Sequence, residues 1–327
     1  MNNIAIIGTG YWGTIVLKNL RLLTKKKIFV YDKNKDNLRN IKKKIPNIVL
    51  IKKIENIYLN EKIKNIFLIT PPGQNYQLLK KLILYKKNIF VEKPFLKKTN
   101  EANKILKLLK KSKTIFMVGY VYLFNQNILK IKKIIQNKEL GKILFIKSQR
   151  ENLGPIRTDV DCNYDLASHD ISIISYLLNS KLKFTKVLKH KILNNKNTDI
   201  SSIKLKSNNT DIEITTSWLN PEKVRKLIII GSKKMLLFDE INSNNQIKIY
   251  NKYATYPPLR KLGKIIFSKI PKIYFGNFKV IKIKNTTSPL QNEIKHFKNS
   301  INKKTTPLTN INFSLNILKL LEKINNH

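Results

Sequence analysis

Cysteine is almost absent. Cys162 stands alone in 327 residues, which excludes an internal disulfide framework and suits a reducing compartment. No apolar run approaches the ~18 residues that cross a bilayer, so no membrane span is expected. Met1 to Gly13 carries no basic side chain and enters a strand at once, unlike a secretory leader, and a cytoplasmic location is expected. Acidic residues are scarce too, 20 against 64 basic, leaving a net charge of +44. Within the basic set arginine is rare: Arg21, Arg39, Arg150, Arg157, Arg225 and Arg260 are all there is. That deficit weighs against a nucleic-acid partner, because readers of phosphates and bases favour the planar arginine fork. The surplus is lysine, which with the abundant Asn and Ile comes from A- and T-rich codons. The charge therefore reads as a lysine-loaded solvated surface, able at most to steer an anionic ligand.

What is present is a globular balance, 42% hydrophobic and 26% charged, in a chain long enough for about two domains. Up to about residue 120, apolar runs at 3–7, 28–31, 49–51, 66–70, 88–91 and 115–118 read as strands. They alternate with helical stretches at 14–23, 75–84 and 100–111. Such alternation predicts a doubly wound parallel sheet with helices on both faces. The strands are apolar on both sides, as burial between helix layers demands.

Beyond residue 120 the pattern changes. Helices are expected at 126–136 and 166–178. Strand-like runs follow at 143–149, 183–191, 202–206, 212–218, 227–230, 235–238 and 247–250, spaced as in a largely antiparallel open sheet. Residues 251–285 resist assignment, and 290–300 and 314–324 read as closing helices. The expected division is 1–120 for a dinucleotide-binding domain and 121–327 for an α/β substrate and oligomerisation domain, with the last helices free to pack back on the first.

Gly8-Thr9-Gly10-Tyr11-Trp12-Gly13 fits G-x-G-x-x-G between a strand and a helix. The first glycine permits the turn, the second lets backbone approach a pyrophosphate, and the third allows close helix–strand packing. The helix N-terminus offers unpaired N–H groups to the phosphates; Tyr11 and Trp12 read first as packing residues and otherwise as flanks of the pyrophosphate. Asp32 ends the second strand, where a carboxylate accepts from the adenosine ribose 2′-OH and repels a 2′-phosphate. NAD is therefore favoured over NADP, with Lys33 tempering the preference.

Glu92-Lys93-Pro94 follows a strand, putting Lys93 at the carboxyl edge of the sheet, where it can hold a substrate hydroxyl. Glu92 is placed to orient that ammonium. Asp165-Leu166-Ala167-Ser168-His169-Asp170 sets Asp165 and His169 at i,i+4, a base and its orienting partner, although a helix cap and a core histidine fit the same residues. No metal is expected.

With these pieces together the chain resembles the Gfo/Idh/MocA oxidoreductases over nearly its whole length. The matching runs are GTGYWG at 8–13, LITPP at 68–72, VEKPF at 91–95, GYVYLFN at 119–125, LGKI at 140–143, DLASHD at 165–170, GSKKMLLFD at 231–239 and PLQNEIKHF at 289–297. The resemblance implies a Rossmann domain followed by an α/β domain whose open sheet often mediates a homo-oligomer, a dimer or tetramer. It also implies that Lys93, Asp165 and His169 work together, and that Thr70, Pro71 and Pro72 line the cofactor. Residues 150–172 are similar to the branch that oxidises the 3-hydroxyl of an N-acetylated UDP-hexosamine or its uronate in surface polysaccharide biosynthesis. By that similarity Arg157 and Asn163 contact substrate. An inositol or polyol dehydrogenase, or a non-catalytic NAD-binding regulator, are the alternatives. The chain departs from the family at Gln74 and Asn75, where a histidine is common, and at Leu123, where a basic residue is common.

Overall fold

The computed structural model describes residues 4–193, 196–243, 246–256, 258–261, 264–267, 270–283 and 287–327. Asn3, expected to open the first strand, and Asn285 lie outside them. By their contacts the residues form two units, 1–125 with 286–322, and 126–285 with 323–327.

In the first unit β1 (Ile4–Ile7), β2 (Ile28–Tyr31), β3 (Ile48–Leu50), β4 (Asn65–Leu68), β5 (Asn88–Glu92) and β6 (Phe116–Gly119) make one parallel sheet in the order β3-β2-β1-β4-β5-β6. The order reverses between β1 and β4, the switch point at which open α/β sheets bind ligands. β1 and β4 are buried along their whole length, which accounts for the apolar runs Ile4–Ile7 and Ile66–Leu68.

The helices are α1 (Tyr11–Leu23), α2 (Lys35–Lys44), α3 (Glu55–Tyr58), α4 (Pro72–Leu84) and α5 (Thr99–Lys110). Two of them begin three residues earlier than expected, for local reasons. Gly10 supplies the N-cap of α1, and Pro72 occupies the first turn of α4, where its missing N–H costs nothing. The lysine-rich α2 had no sequence expectation at all. It buries only Ile41 and is held at its start by the Asn34 side chain, which accepts from Asp36 N.

The second unit opens with α6 (Gln126–Gln136), then β7 (Ile143–Glu151) and α7 (Ser168–Leu178). β8 (Lys183–His190), β9 (Ile200–Ser207), β10 (Thr210–Ser217), β11 (Val224–Gly231), β12 (Met235–Asp239) and β13 (Ile247–Tyr250) follow. The stretch without expectation contains five short strands: β14 (Tyr253–Thr255), β15 (Pro258–Lys261), β16 (Lys264–Phe267), β17 (Lys272–Tyr274) and β18 (Phe278–Ile281). The large sheet runs β18-β13-β12-β11-β7-β10-β9-β8 and is antiparallel except where β10 lies parallel to β7. β14 pairs with β17, and β15 with β16.

Two helices close the chain, α8 (Pro289–Lys303) and α9 (Ile311–Asn326). α8 belongs to the first unit and caps one face of the parallel sheet. Phe297, fully buried, sets its ring edge-on to Phe67 of β4 at 5.5 Å and to Phe90 of β5 at 5.8 Å. Thr309 donates to Val118 O at 2.6 Å, and Val118 N donates back to Thr309 O at 2.8 Å, so the α8–α9 turn extends the edge of β6. Phe297→Ala removes the ring that three elements share and is expected to cost about 3–5 kcal/mol in urea unfolding. A loss below ~1 kcal/mol would show that this helix is not part of the domain core.

Candidate functional site

The dinucleotide turn is built by two backbone oxygens. Gly8 has φ of +94°, and a Cβ there would sit 2.3 Å from Ile69 O; a Cβ on Gly13 would sit 2.1 Å from Gly8 O. Neither position admits a side chain. Gly10 is different: a Cβ there would meet nothing within 4 Å, so open space lies in front of the first turn of α1. A diphosphate fits that cradle, facing a helix whose opening residues include no acid.

Asp32 follows β2 and closes the turn from the side. Its Oδ2 accepts from Thr9 N at 2.6 Å, Thr9 Oγ1 at 2.9 Å and Asn37 Nδ2 at 3.1 Å, and its Oδ1 accepts from Asn34 N at 2.8 Å. Burial opposes its charge, but these four donors outweigh burial and hold the carboxyl below its ordinary range. It is thus a fixed anion beside the turn. Its contribution to stability is present above the unfolded carboxylate range and lost as pH falls through the lowered value.

Thr70, Pro71 and Pro72 form the turn after β4. Thr70 Oγ1 donates to Asn75 Oδ1 at 2.5 Å, and Asn75 Nδ2 donates to Phe95 O at 3.0 Å. Asn75, fully buried, therefore ties the turn after β4 to the segment after β5. Sequence reasoning noted it only as a departure from the family. Leu123, the other departure, is likewise fully buried.

Lys93 lies just past the carboxyl end of β5, and its peptide to Pro94 is cis. Glu92 does more than face the ammonium. Its Oε1 accepts from the Trp12 indole at 2.7 Å and its Oε2 from Lys93 N at 3.1 Å. Trp12 is thereby a strut between the glycine turn and the lysine strand, whereas Tyr11 is 86% exposed. Burial pushes the Glu92 carboxyl up to about 7, against the pull of Trp12 and Lys93.

In the second unit the segment before α7 winds as a π-helical turn, Asn163–Ala167. Asp165 is held from two sides: Arg157 Nη1 approaches Oδ1 at 3.4 Å and Trp218 Nε1 donates to Oδ2 at 3.2 Å. Arg157 also forks onto Asp159 at 2.9 and 2.7 Å. His169 is partly exposed in the first turn of α7. Asn163 is fully buried and donates to Asn325 Oδ1 at 3.1 Å, while Asn325 Nδ2 donates to Asp161 Oδ2 at 2.7 Å.

A buried ion pair fixes the helix that carries His169. Arg150 grips Asp170 through Nε at 2.8 Å and Nη2 at 3.1 Å, and Ser148 Oγ adds 2.8 Å to the same carboxylate. Both partners are almost wholly buried. Neither was singled out in the sequence, although an arginine inside an apolar strand of a lysine-rich chain was a usable signal.

The model of the oxidoreductase family with NAD-binding Rossmann fold, GFO_IDH_MocA, matches residues 2–120. Over these residues the chain is similar to that family's NAD-binding domain. The GFO_IDH_MocA match accords with the NAD expectation, and the residues of the turn fit the cofactor.

Two curated relatives are similar over parts of their length. The uncharacterized oxidoreductase YrbE of Bacillus subtilis is 28% identical over 118 residues, 35% of each chain. The myo-inositol 2-dehydrogenase of Thermotoga maritima is 24% identical over 186 residues, 55% of this chain and 56% of that one. The chain therefore matches about a third to a half of the relatives' lengths. The fold is shared more widely: the UDP-N-acetylglucosamine 3-dehydrogenase GnnA of Acidithiobacillus ferrooxidans superposes with a TM-score of 0.80 at 15% identity, over 98% of this chain and 95% of that one.

Asp32→Ser removes the fixed anion. It is expected to tighten NADP binding relative to NAD by about tenfold or more, read by titrating each nucleotide calorimetrically. An unchanged ratio would mean that the carboxylate serves the turn alone. Asn325→Ala should loosen the segment 161–165 and speed amide hydrogen exchange there, leaving the parallel sheet of the first unit unaffected.

Proposed function

We propose that this chain is an NAD-dependent oxidoreductase acting on CH–OH groups, moving hydride between nicotinamide and a sugar or nucleotide-sugar hydroxyl or ketone. The observation that carries the reading is the placement of Lys93. It stands at the same sheet edge as the glycine turn, joined to it through Trp12 and Glu92. Bound NAD supplies the hydride acceptor. The Lys93 ammonium holds the substrate oxygen and favours its alkoxide character as the C–H bond breaks. His169 takes the hydroxyl proton as general base, on a helix that the Arg150–Asp170 pair keeps from rotating. Asp165, itself steadied by Arg157 and Trp218, contacts substrate or orients the imidazole. Arg157 retains an exposed part and can grip a diphosphate or carboxylate on the ligand. Asn163, being fully buried, shapes this loop from beneath.

The fold shared with a UDP-N-acetylglucosamine 3-dehydrogenase supports a nucleotide-sugar substrate, and surface polysaccharide biosynthesis is the setting that the resemblance of residues 150–172 implies. The similarity to a myo-inositol 2-dehydrogenase supports a free polyol instead. Following nicotinamide absorbance across both substrate classes separates them. The proposal includes a cytoplasmic homo-oligomer without a nucleic-acid partner. No helix among the described residues is long and apolar enough to cross a membrane.

Lys93→Ala and His169→Ala are each expected to lower turnover about 100- to 10,000-fold while NAD affinity stays within a few-fold of the parent. Near-normal turnover in both variants with an accepted substrate would refute the assignment.

A further inference from the structure

A second carboxyl lies in the interior of the first unit and has no part in the chemistry above. Glu293 sits on α8 with no exposed surface, and neither of its side-chain oxygens meets an ordinary donor side chain. An isolated buried carboxylate is among the costliest groups a fold can hold. Its neighbourhood follows from the packing of α8. Phe297, one turn further along the same face, is in ring contact with Phe90 of β5. Glu92 lies two residues beyond Phe90 and so projects from the same face of the strand. One helical turn and two strand residues advance by similar lengths, ~5.4 and ~6.6 Å, so Glu293 comes up beside Glu92.

Gly119, paired with Glu92 across β5 and β6, leaves the room for this arrangement. A Cβ on Gly119 would stand 2.8 Å from Glu92 Oε1 and 3.0 Å from the Phe90 ring. We propose that Glu293 is a positioning residue: a neutral acid that shares its proton with Glu92 and so steadies the carboxylate beneath Trp12 and Lys93. The part concerning Lys93 rests on the oxidoreductase reading; the proton-sharing pair does not.

The groups around the pair come from four elements. α1 contributes Trp12, which donates to Glu92. The end of β5 contributes Lys93, whose ammonium favours ionised Glu92. The residue after β6 is Tyr120, whose backbone N–H favours ionised Glu293 and whose phenol is pushed up by burial. α9 contributes Ser314, hydrogen-bonded to that phenol. His296 of α8 is engaged elsewhere, accepting from Leu308 N at 3.0 Å and lying against Phe124.

Burial, followed by the charge of Glu92, drives the Glu293 carboxyl well above its ordinary range, while Glu92 ionises at about 7. On the proposal Glu293 keeps its proton as Glu92 ionises, so the pair then carries one proton and one negative charge. Below that pH Glu92 is neutral and its grip on the indole and on Lys93 N weakens. Both carboxyls are raised in the fold, so this part of the stability falls as pH climbs from the ordinary carboxylate range through about 7.

Trp12 reports on Glu92 directly, since Trp12 and Trp218 are the two tryptophans. In Trp218→Phe protein, Trp12 emission is expected to titrate with a midpoint of about 7 and to lose the transition in Glu92→Gln. Glu293→Gln, which keeps a neutral donor, should hold the midpoint to within about half a unit, whereas Glu293→Leu should move it up by about one unit. In infrared difference spectra at about pH 8, parent minus Glu293→Gln should show the carbonyl stretch of a protonated carboxylic acid.

Emission that stays flat across neutral pH, a Glu293→Gln shift above about one unit, or no such infrared band would each overturn the proposal. None of these readouts needs substrate. If they behave as expected in a protein without turnover, the oxidoreductase reading falls and the pair stands. Turnover with a flat Trp12 signal is the reverse result.

Discussion

The cofactor end of the molecule depends on how closely β1, α1 and the end of β4 approach one another. Gly8 O occupies the place of a Gly13 side chain, and Ile69 O occupies that of a Gly8 side chain. Gly8 N donates to Tyr31 O and Ile69 N to Ile7 O, so the turn is pinned to its neighbours on both sides. Asp32 then accepts from the turn itself. Backbone without side chains can come this near, and that nearness leaves the open space before Gly10.

From this turn the constraint passes to Lys93 through polar side chains placed where a parallel sheet ends. Trp12 reaches Glu92, Glu92 holds Lys93 N, and Asn75 joins the loop after β4 to the segment that follows Lys93. The second unit uses the same device around its own candidate residues. Arg150 and Asp170 anchor α7 from within, and Arg157 with Trp218 anchors Asp165 from outside. A buried pair of this kind contributes more to fixed orientation than to net stability, because desolvation offsets most of its attraction.

Much of the dinucleotide end was legible in the sequence, since glycine spacing, strand ends and the acid after β2 are local patterns. Gly8 and Gly13 stand against backbone that leaves no room for a side chain, and Gly10 faces open space. The π-helical turn at 163–167 was not legible: a continuous helix from Leu166 is what apolar spacing suggests, and an inserted residue leaves no compositional mark. The strands between 253 and 281 were hidden as well, being three or four residues long in lysine-rich surroundings where the alternation is too short to register.

The alternation of strands and helices in the first unit and the glycine turn before α1 were determined by the chain's own local chemistry. Turn geometry and apolar periodicity act over a few residues, and a reader of the sequence meets them directly. Only tertiary structure decided that Glu293 comes up beside Glu92, that Asn325 holds Asn163 and Asp161, and that Arg150 is spent on Asp170. Those partners stand 20 to 201 positions apart along the chain, from Arg150 and Asp170 to Glu92 and Glu293. Nothing in either member of a pair names the other until packing brings them out of water together.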